Sequence, residues 1–171
     1  MPKIIVHVDG LCEPVNPGGT ATYGYVVNND ASAGIVKRYG VVGQGPEMSN
    51  NVAEYAALCE ALNFLVSEKL NLLPIEVRSD SRLLINQMKG DWKVRKGLYV
   101  HKHLEAKDLA RRFDRITFKW IPREDNEEAD ALSRVAYSEA TSLAKRRIDN
   151  RTFLQSLPKR EASSKDHLQI S

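Results

Sequence analysis

Four carboxylates, Asp9, Glu54, Asp80 and Asp130, stand where the local pattern does not ask for a charge. Asp9 closes the apolar run Ile4-Ile5-Val6-His7-Val8, and Asp80 closes Ile75-Glu76-Val77-Arg78-Ser79. Glu54 falls on the apolar stripe of a helical pattern, because a turn of roughly 100° per residue places Leu58, Ala61 and Leu65 close to it on the wheel. Asp130 lies in the first turns of a late helical pattern. In an open α/β sheet, strand C-termini and helix starts converge on one crevice, where ligands bind. Four acidic groups gathered there repel one another unless a divalent cation lies between them. Mg²⁺, a hard ion that prefers carboxylate, water and phosphate oxygens, suits such a site. The pattern points to metal-dependent phosphodiester hydrolysis.

Simpler roles remain open for each residue alone. Asn51-x-x-Glu54 fits a capping box. Either Asp80 or Ser81 can cap the helix that follows. Asp130, with Glu127 and Glu128, can complement the positive end of a helix dipole. The case rests on the four together.

The elements that must position them follow from periodicity. Lys3–Asp9 reads as a strand leading to a turn-rich loop from Gly10 to Gly19. Ala21–Asn28 and Ile35–Val42 read as strands joined through the turn residues Asn28-Asn29-Asp30 and Gly34. A helix is expected from about Asn51 to Lys69, then a strand over Ile75–Ser79 and a helix over Ser81–Lys89. Another helix runs from about Tyr99 to Arg112. Ile116, Phe118 and Trp120 alternate with Thr117 and Lys119 as a half-buried strand that Pro122 stops. Asn126 can cap a last helix reaching about Lys145. The order β-β-β-α-β-α-α-β-α predicts an α/β domain over residues 1–145, with a mixed sheet and helices on both faces.

The chain has 171 residues, 42% hydrophobic and 27% charged, as a globular domain requires. Its net charge is only +3, and the excess sits late, where Lys145, Arg146, Arg147, Arg151, Lys159, Arg160 and Lys165 outnumber the acids. Residues 146–171 are therefore expected to form a basic, polar, partly disordered tail. Cys12 and Cys59 have neither metal-site nor disulfide-framework spacing, so reduced thiols and a cytoplasmic location are expected. Lys3 leads straight into a strand with no leader pattern, and no apolar run reaches membrane-spanning length.

Taken together, the motifs resemble type 1 ribonuclease H. Val8-Asp9-Gly10 followed by Asn16-Pro17-Gly18-Gly19 resembles the first signature of that family. Asn50-Asn51-x-x-Glu54-Tyr55-x-Ala57-Leu58 resembles the second, and Ser79-Asp80-Ser81 with Leu84-Ile85 the third. Asn126-x-x-Ala129-Asp130-x-Leu132-Ser133 resembles the fourth, which usually carries alanine where Ser133 stands. All four occur in family order over about residues 1–145.

The resemblance implies a ribonuclease H-like fold, with five strands in a mixed sheet. It implies Asp9, Glu54, Asp80 and Asp130 as ligands for Mg²⁺, two ions per site with substrate bound, Mn²⁺ being an alternative. It further implies endonucleolytic cleavage of the RNA strand of an RNA–DNA hybrid, giving 3′-hydroxyl and 5′-phosphate ends. Paired ions suit that reaction, one activating water and the other stabilising the leaving oxygen. The resemblance puts Glu54 near the 2′-hydroxyl, the group that distinguishes RNA from DNA. It also aligns Gly10, Asn16, Asn50, Asn51 and Ser81 with positions that contact substrate. A monomer with no obligate protein partner and no membrane contact is expected.

The sequence departs from the bacterial pattern in two places. No histidine occupies the loop Ile121-Pro122-Arg123-Glu124-Asp125-Asn126, and Arg123 stands there as in the archaeal-type variant of the family. Arginine stays protonated, so its expected role is phosphate orientation and charge stabilisation. A long basic handle is also missing. In its place Lys89, Trp92, Lys93, Arg95, Lys96, Tyr99 and Lys102 form a compact segment in which Trp92 and Lys93 are expected to grip the DNA strand. A non-catalytic nucleic-acid-binding domain, or another metal nuclease of the same superfold, is the competing reading.

Overall fold

The structure is a computed structural model that describes residues 3–30 and 34–156. Five strands form one mixed sheet: β1 (Ile4–Glu13), β2 (Thr20–Asn29), β3 (Gly34–Gln44), β4 (Ile75–Ser79) and β5 (Ile116–Trp120), in spatial order β3-β2-β1-β4-β5. The first three pair antiparallel as a meander, while β4 and β5 extend the sheet parallel to β1. Four helices complete the fold: α1 (Asn50–Ser67), α2 (Arg82–Lys89), α3 (Val100–Ala110) and α4 (Glu127–Ser156). A short 3₁₀ turn, Arg123–Asp125, precedes α4.

The period of two sorts β1 onto two faces. Ile4, Val6 and Val8 are fully buried in a core shared with Tyr25, Val27, Leu58, Leu62 and Leu65, so this face packs on α1. His7 and Asp9 point the other way, towards the start of α4. There the Thr22 hydroxyl donates to the Ser133 carbonyl at 2.8 Å, and Tyr39 donates to Glu139 at 3.0 Å. Helices therefore cover both faces, as the element order predicts.

Several boundaries differ from those expected. β1 does not end at Asp9 but continues to Glu13, because Gly10 to Glu13 pair in register with Tyr23 to Thr20. The turn chemistry is confined to residues 14–19. The N-cap of α1 is Ser49, whose hydroxyl accepts the Val52 N–H at 3.2 Å, so Asn51 and Glu54 form no capping box. Ser81, not Asp80, caps α2 by accepting the Leu84 N–H. α4 runs to Ser156 instead of ending near Lys145, since residues 146–156 contain neither glycine nor proline to stop it.

Two compact units divide the chain, residues 1–140 and residues 141–171. In the second, Thr141–Ser156 is helical and carries the exposed side chains Leu143, Lys145, Arg146, Arg147, Ile148 and Arg151. Of the basic, polar tail expected over residues 146–171, residues 146–156 belong to α4, and residues 157–171 lie outside the described residues. Among the described residues, no helix is long and apolar enough to cross a membrane.

Candidate active site

Asp9 and Gly10 are consecutive residues of one strand, so their Cα substituents face opposite sides of the sheet. Each side is built around a missing side chain. A Cβ on Gly10 would lie 2.2 Å from the backbone of Ala53 and Glu54, so only glycine lets the first turn of α1 press onto β1. The Glu54 carboxylate then accepts the Gly10 backbone N–H. On the other face, Gly24 pairs with Asp9 across β1 and β2. A Cβ there would lie 2.6 Å from the Ala129 carbonyl and 2.8 Å from the Ser133 nitrogen, so α4 also approaches by way of a gap.

Asp80 arrives at the end of β4, held by its neighbours. The indole N–H of Trp120 donates to the Asp80 carbonyl at 3.0 Å, and Arg82 stacks 4.0 Å above the Trp120 ring. Asn126 donates from Nδ2 to the Val8 carbonyl at 3.0 Å and to Asp80 Oδ1 at 2.8 Å. Its side chain thus ties β1, β4 and the start of α4 together instead of capping the helix.

The result is a cluster in which carboxylate oxygens of Asp9, Glu54 and Asp80 all lie within 4.8 Å of one another. Asp9 is only 6% exposed, and its carboxyl is pushed up to about 7. Burial is the chief cause, opposed by the Ser133 hydrogen bond and reinforced by the charges of Asp80 and Asp130. Glu54 is pushed well above the usual carboxylate range, again by burial first, then by Asp9 and Asp80. Its Oε2 is buried without a hydrogen-bond partner. Leaving such an atom unpaired is costly. Three converging carboxylates with one orphaned oxygen fit a divalent cation, which would supply the missing positive charge.

Asp130 stands apart from that cluster. Its Oδ1 lies 3.1 Å from Arg123 and its Oδ2 2.9 Å from the Nε of Arg134, so two guanidinium groups hold it. Arg123 is itself 66% exposed at the side chain and forms its ion pair with Asp130, not with Glu124 or Asp125.

The other expected contact residues fall into two groups. Asn50 Oδ1 accepts the Cys12 N–H at 2.7 Å, and Asn16 Oδ1 accepts the Asn50 N–H at 2.9 Å. These two asparagines hold the far end of β1 against the start of α1, and both stay exposed, while Asn51 is half-buried. Trp92, half exposed, and Lys93 line a surface groove with Leu83, Gln87, Arg95 and Tyr99. None of the four carboxylates lines that groove. Ser133 and Arg134 were not singled out by sequence as site residues. Arg134 is marked only by its position four residues beyond Asp130 on one helix, and Ser133 by its position and by standing where the fourth signature usually carries alanine.

Residues 8–136 match the family described as reverse transcriptase-like. Ribonuclease HI of Halobacterium salinarum is 35% identical over 139 residues, covering 81% of this chain and 66% of that protein. LC11-RNase H1, isolated from compost and crystallised with an RNA/DNA hybrid, superposes with a TM-score of 0.71 and 32% identity, over 81% of this chain and 99% of that one. The chain belongs to the type 1 ribonuclease H family. The bifunctional protein Rv2228c of Mycobacterium tuberculosis is also similar, 36% identical over 143 residues and 83% of this chain, yet the chain spans only 37% of the length of that relative. The five-stranded sheet with four helices is the ribonuclease H fold.

Proposed function

We propose that this chain is an endonuclease that hydrolyses the RNA strand of RNA–DNA hybrids, leaving 3′-hydroxyl and 5′-phosphate ends. The observation that carries the reading is the carboxylate cluster of Asp9, Glu54 and Asp80, with its orphaned Glu54 oxygen at the helix start. A non-catalytic binding domain has no use for three clustered acids, one buried and two half-buried, that repel one another. The hybrid bound to LC11-RNase H1, a relative that this chain matches over nearly its full length, supports the substrate.

Asp9, Glu54 and Asp80 would hold Mg²⁺, two ions when substrate is present, with Asp130 at the edge of the site. Such ions supply the charge that lets water attack phosphorus and lets the 3′-oxygen depart. The remaining work falls to the chain. Gly10 and Gly24 let α1 and α4 close on the strand end. Arg123, in the loop position where bacterial members carry histidine, would orient a phosphate with its planar fork once its pairing with Asp130 opens. Asn16, Asn50 and Asn51 would meet the minor groove of the hybrid, with Gly10 and Ser81 beside them. Trp92 and Lys93 would take the DNA strand in the groove they line. The two buried thiols, Cys12 and Cys59, fit a reducing, cytoplasmic setting, and a monomer suffices because one chain supplies every proposed ligand.

Cleavage of a defined RNA–DNA hybrid, compared with single-stranded RNA, duplex RNA and duplex DNA with and without Mg²⁺, tests the proposal. Hybrid-selective, Mg²⁺-dependent products with 5′-phosphate ends are expected. Binding without cleavage in any divalent metal would replace the nuclease with a binding domain.

A further inference from the structure

Ser133 is fully buried, and its hydroxyl sits 2.8 Å from Asp9 Oδ2 and 2.8 Å from the Asp130 carbonyl. A hydroxyl has one proton and two acceptors compete for it. The Asp130 carbonyl belongs to α4, where the helical N–H four residues on already serves it. The carboxylate has no such standing partner, and a charged acceptor forms a hydrogen bond about twice as strong as a neutral one. The proton therefore goes to Asp9.

Ser133 has little freedom to be elsewhere. The Thr22 hydroxyl donates to its carbonyl at 2.8 Å, and the gap at Gly24 admits the α4 backbone directly opposite Asp9. β2 thus fixes the main chain of Ser133, and the main chain fixes where the hydroxyl falls. A neutral donor at that point anchors one carboxylate oxygen without adding a positive charge that would compete with a cation. The Asp9 carboxylate is thereby held in a set orientation beside Glu54 and Asp80. Metal ligands depend on such supporting hydrogen bonds for their alignment.

We infer that Ser133 is a positioning residue that locks Asp9 Oδ2 and so sets the affinity of the Asp9–Glu54–Asp80 cluster for divalent metal. The inference rests on the metal-site reading above but assigns a role that the reading does not need.

Calorimetric titration of the substrate-free protein with Mn²⁺ tests it, with Asp9→Asn measured in parallel. Ser133→Ala should weaken Mn²⁺ binding roughly tenfold to hundredfold, the range expected when a hydrogen bond that supports a metal ligand is lost. Ser133→Cys, which is somewhat larger and offers only a weak donor, should behave like alanine. The Mg²⁺ concentration for half-maximal hybrid cleavage should rise by a similar factor, with turnover at saturating Mg²⁺ within a few-fold of wild type. Wild-type Mn²⁺ affinity in both serine variants, with binding lost in Asp9→Asn, would overturn the role of Ser133 and leave the metal site standing. Unchanged affinity in Asp9→Asn would instead remove the metal site itself. If one serine variant fails to fold, the other decides. Failure of both would also overturn the inference, because a residue acting only through Asp9 is dispensable for folding.

Discussion

Glu54 and Tyr55 are neighbours on α1, and the fold treats their polar atoms in opposite ways. The Tyr55 hydroxyl donates to Gln87 Oε1 at 2.8 Å and lies 2.9 Å from His103 Nδ1. Gln87 in turn donates to the Tyr99 hydroxyl at 3.1 Å, and the Tyr55 and Tyr99 rings stack with centroids 5.7 Å apart. Because the one Tyr55 proton is committed to Gln87, the His103 ring must carry its hydrogen on Nδ1. The network ties α1 to α2 and α3 and closes on itself. One residue earlier, Glu54 Oε2 is equally shut off from water and has nothing to bind. Buried polar groups that serve the fold find partners within it. Asn126 Oδ1 is also buried without a partner, but it carries no charge; an acid left wanting among other acids is one whose partner comes from outside.

The sharpest way to break this contrast is to remove the charges. Asp9→Asn, Glu54→Gln and Asp80→Asn should each cut hybrid cleavage to below a few per cent, on the order of 10² or more, as expected for loss of a metal ligand. Thermal unfolding of the metal-free variants should occur at or above the wild-type temperature, because an uncompensated charge has gone. A large drop in melting temperature would instead class these acids with Tyr55.

Arg123→Ala should lower turnover about 10²- to 10³-fold, the usual size for a donor aimed at developing charge. Mn²⁺ binding should persist, and Arg123→Lys should recover only part of the rate because a point charge cannot hold two oxygens. Single-turnover kinetics on a defined hybrid at saturating Mg²⁺ would reveal it. Wild-type rates in the alanine variant would leave Arg123 as no more than a clamp on Asp130.

The unsatisfied cluster should also write itself into stability against pH. Asp9 rises from its ordinary 3.8 to about 7 in the folded chain, so the folded state holds a proton that the unfolded state has released. Stability from this source is complete below about pH 4 and disappears as pH climbs through about 7; Glu54, shifted in the same direction, adds to it. Denaturation of the metal-free protein at pH 5 and pH 8 should differ by on the order of 2–4 kcal/mol, less stable at the higher pH. Mg²⁺ should restore more stability at pH 8 than at pH 5, and Asp9→Asn should flatten the profile.

Tyr55→Phe probes the satisfied side. It strands the Gln87 oxygen and the His103 N–H, so a loss of about 1–3 kcal/mol is expected, with cleavage retained at temperatures where the protein stays folded. Denaturant melts alongside hybrid cleavage would separate the two effects. The smallest effect should come from deleting residues 147–171. That removes several basic side chains and should flatten the slope of log affinity against log salt while leaving Mg²⁺-dependent cleavage in place.

Much of this arrangement could be read from the chain alone. Asp9 and Asp80 declare themselves because an acid at the end of a buried strand has no ordinary purpose, and Glu54 because it interrupts an apolar stripe. A mixed sheet follows from a meander and the αβ units after it. What stayed hidden depends on contacts between distant elements. Ser133 matters only because Gly24, 109 positions earlier in the chain (133−24), admits α4 over Asp9. Nothing in the spacing of His103 signals that Tyr55 lies within 2.9 Å of it. The strand through Gly10 to Glu13 was masked by turn residues just beyond it, and the cap at Ser49 by the better-known Asn-Asn-x-x-Glu pattern. In each case local spelling lost to tertiary pairing.

Gly10 and Gly24 have one more consequence, for anyone who sorts variants by function. Neither residue owns a reactive atom, yet each acts as a spacer gauge whose setting is zero. A single methyl at either place meets main-chain atoms that cannot swing aside. In an alanine scan ranked by lost cleavage, two positions with no chemistry of their own would therefore sort with the acids. A reader of that ranking alone would credit them with groups they never had, when what they contribute is clearance.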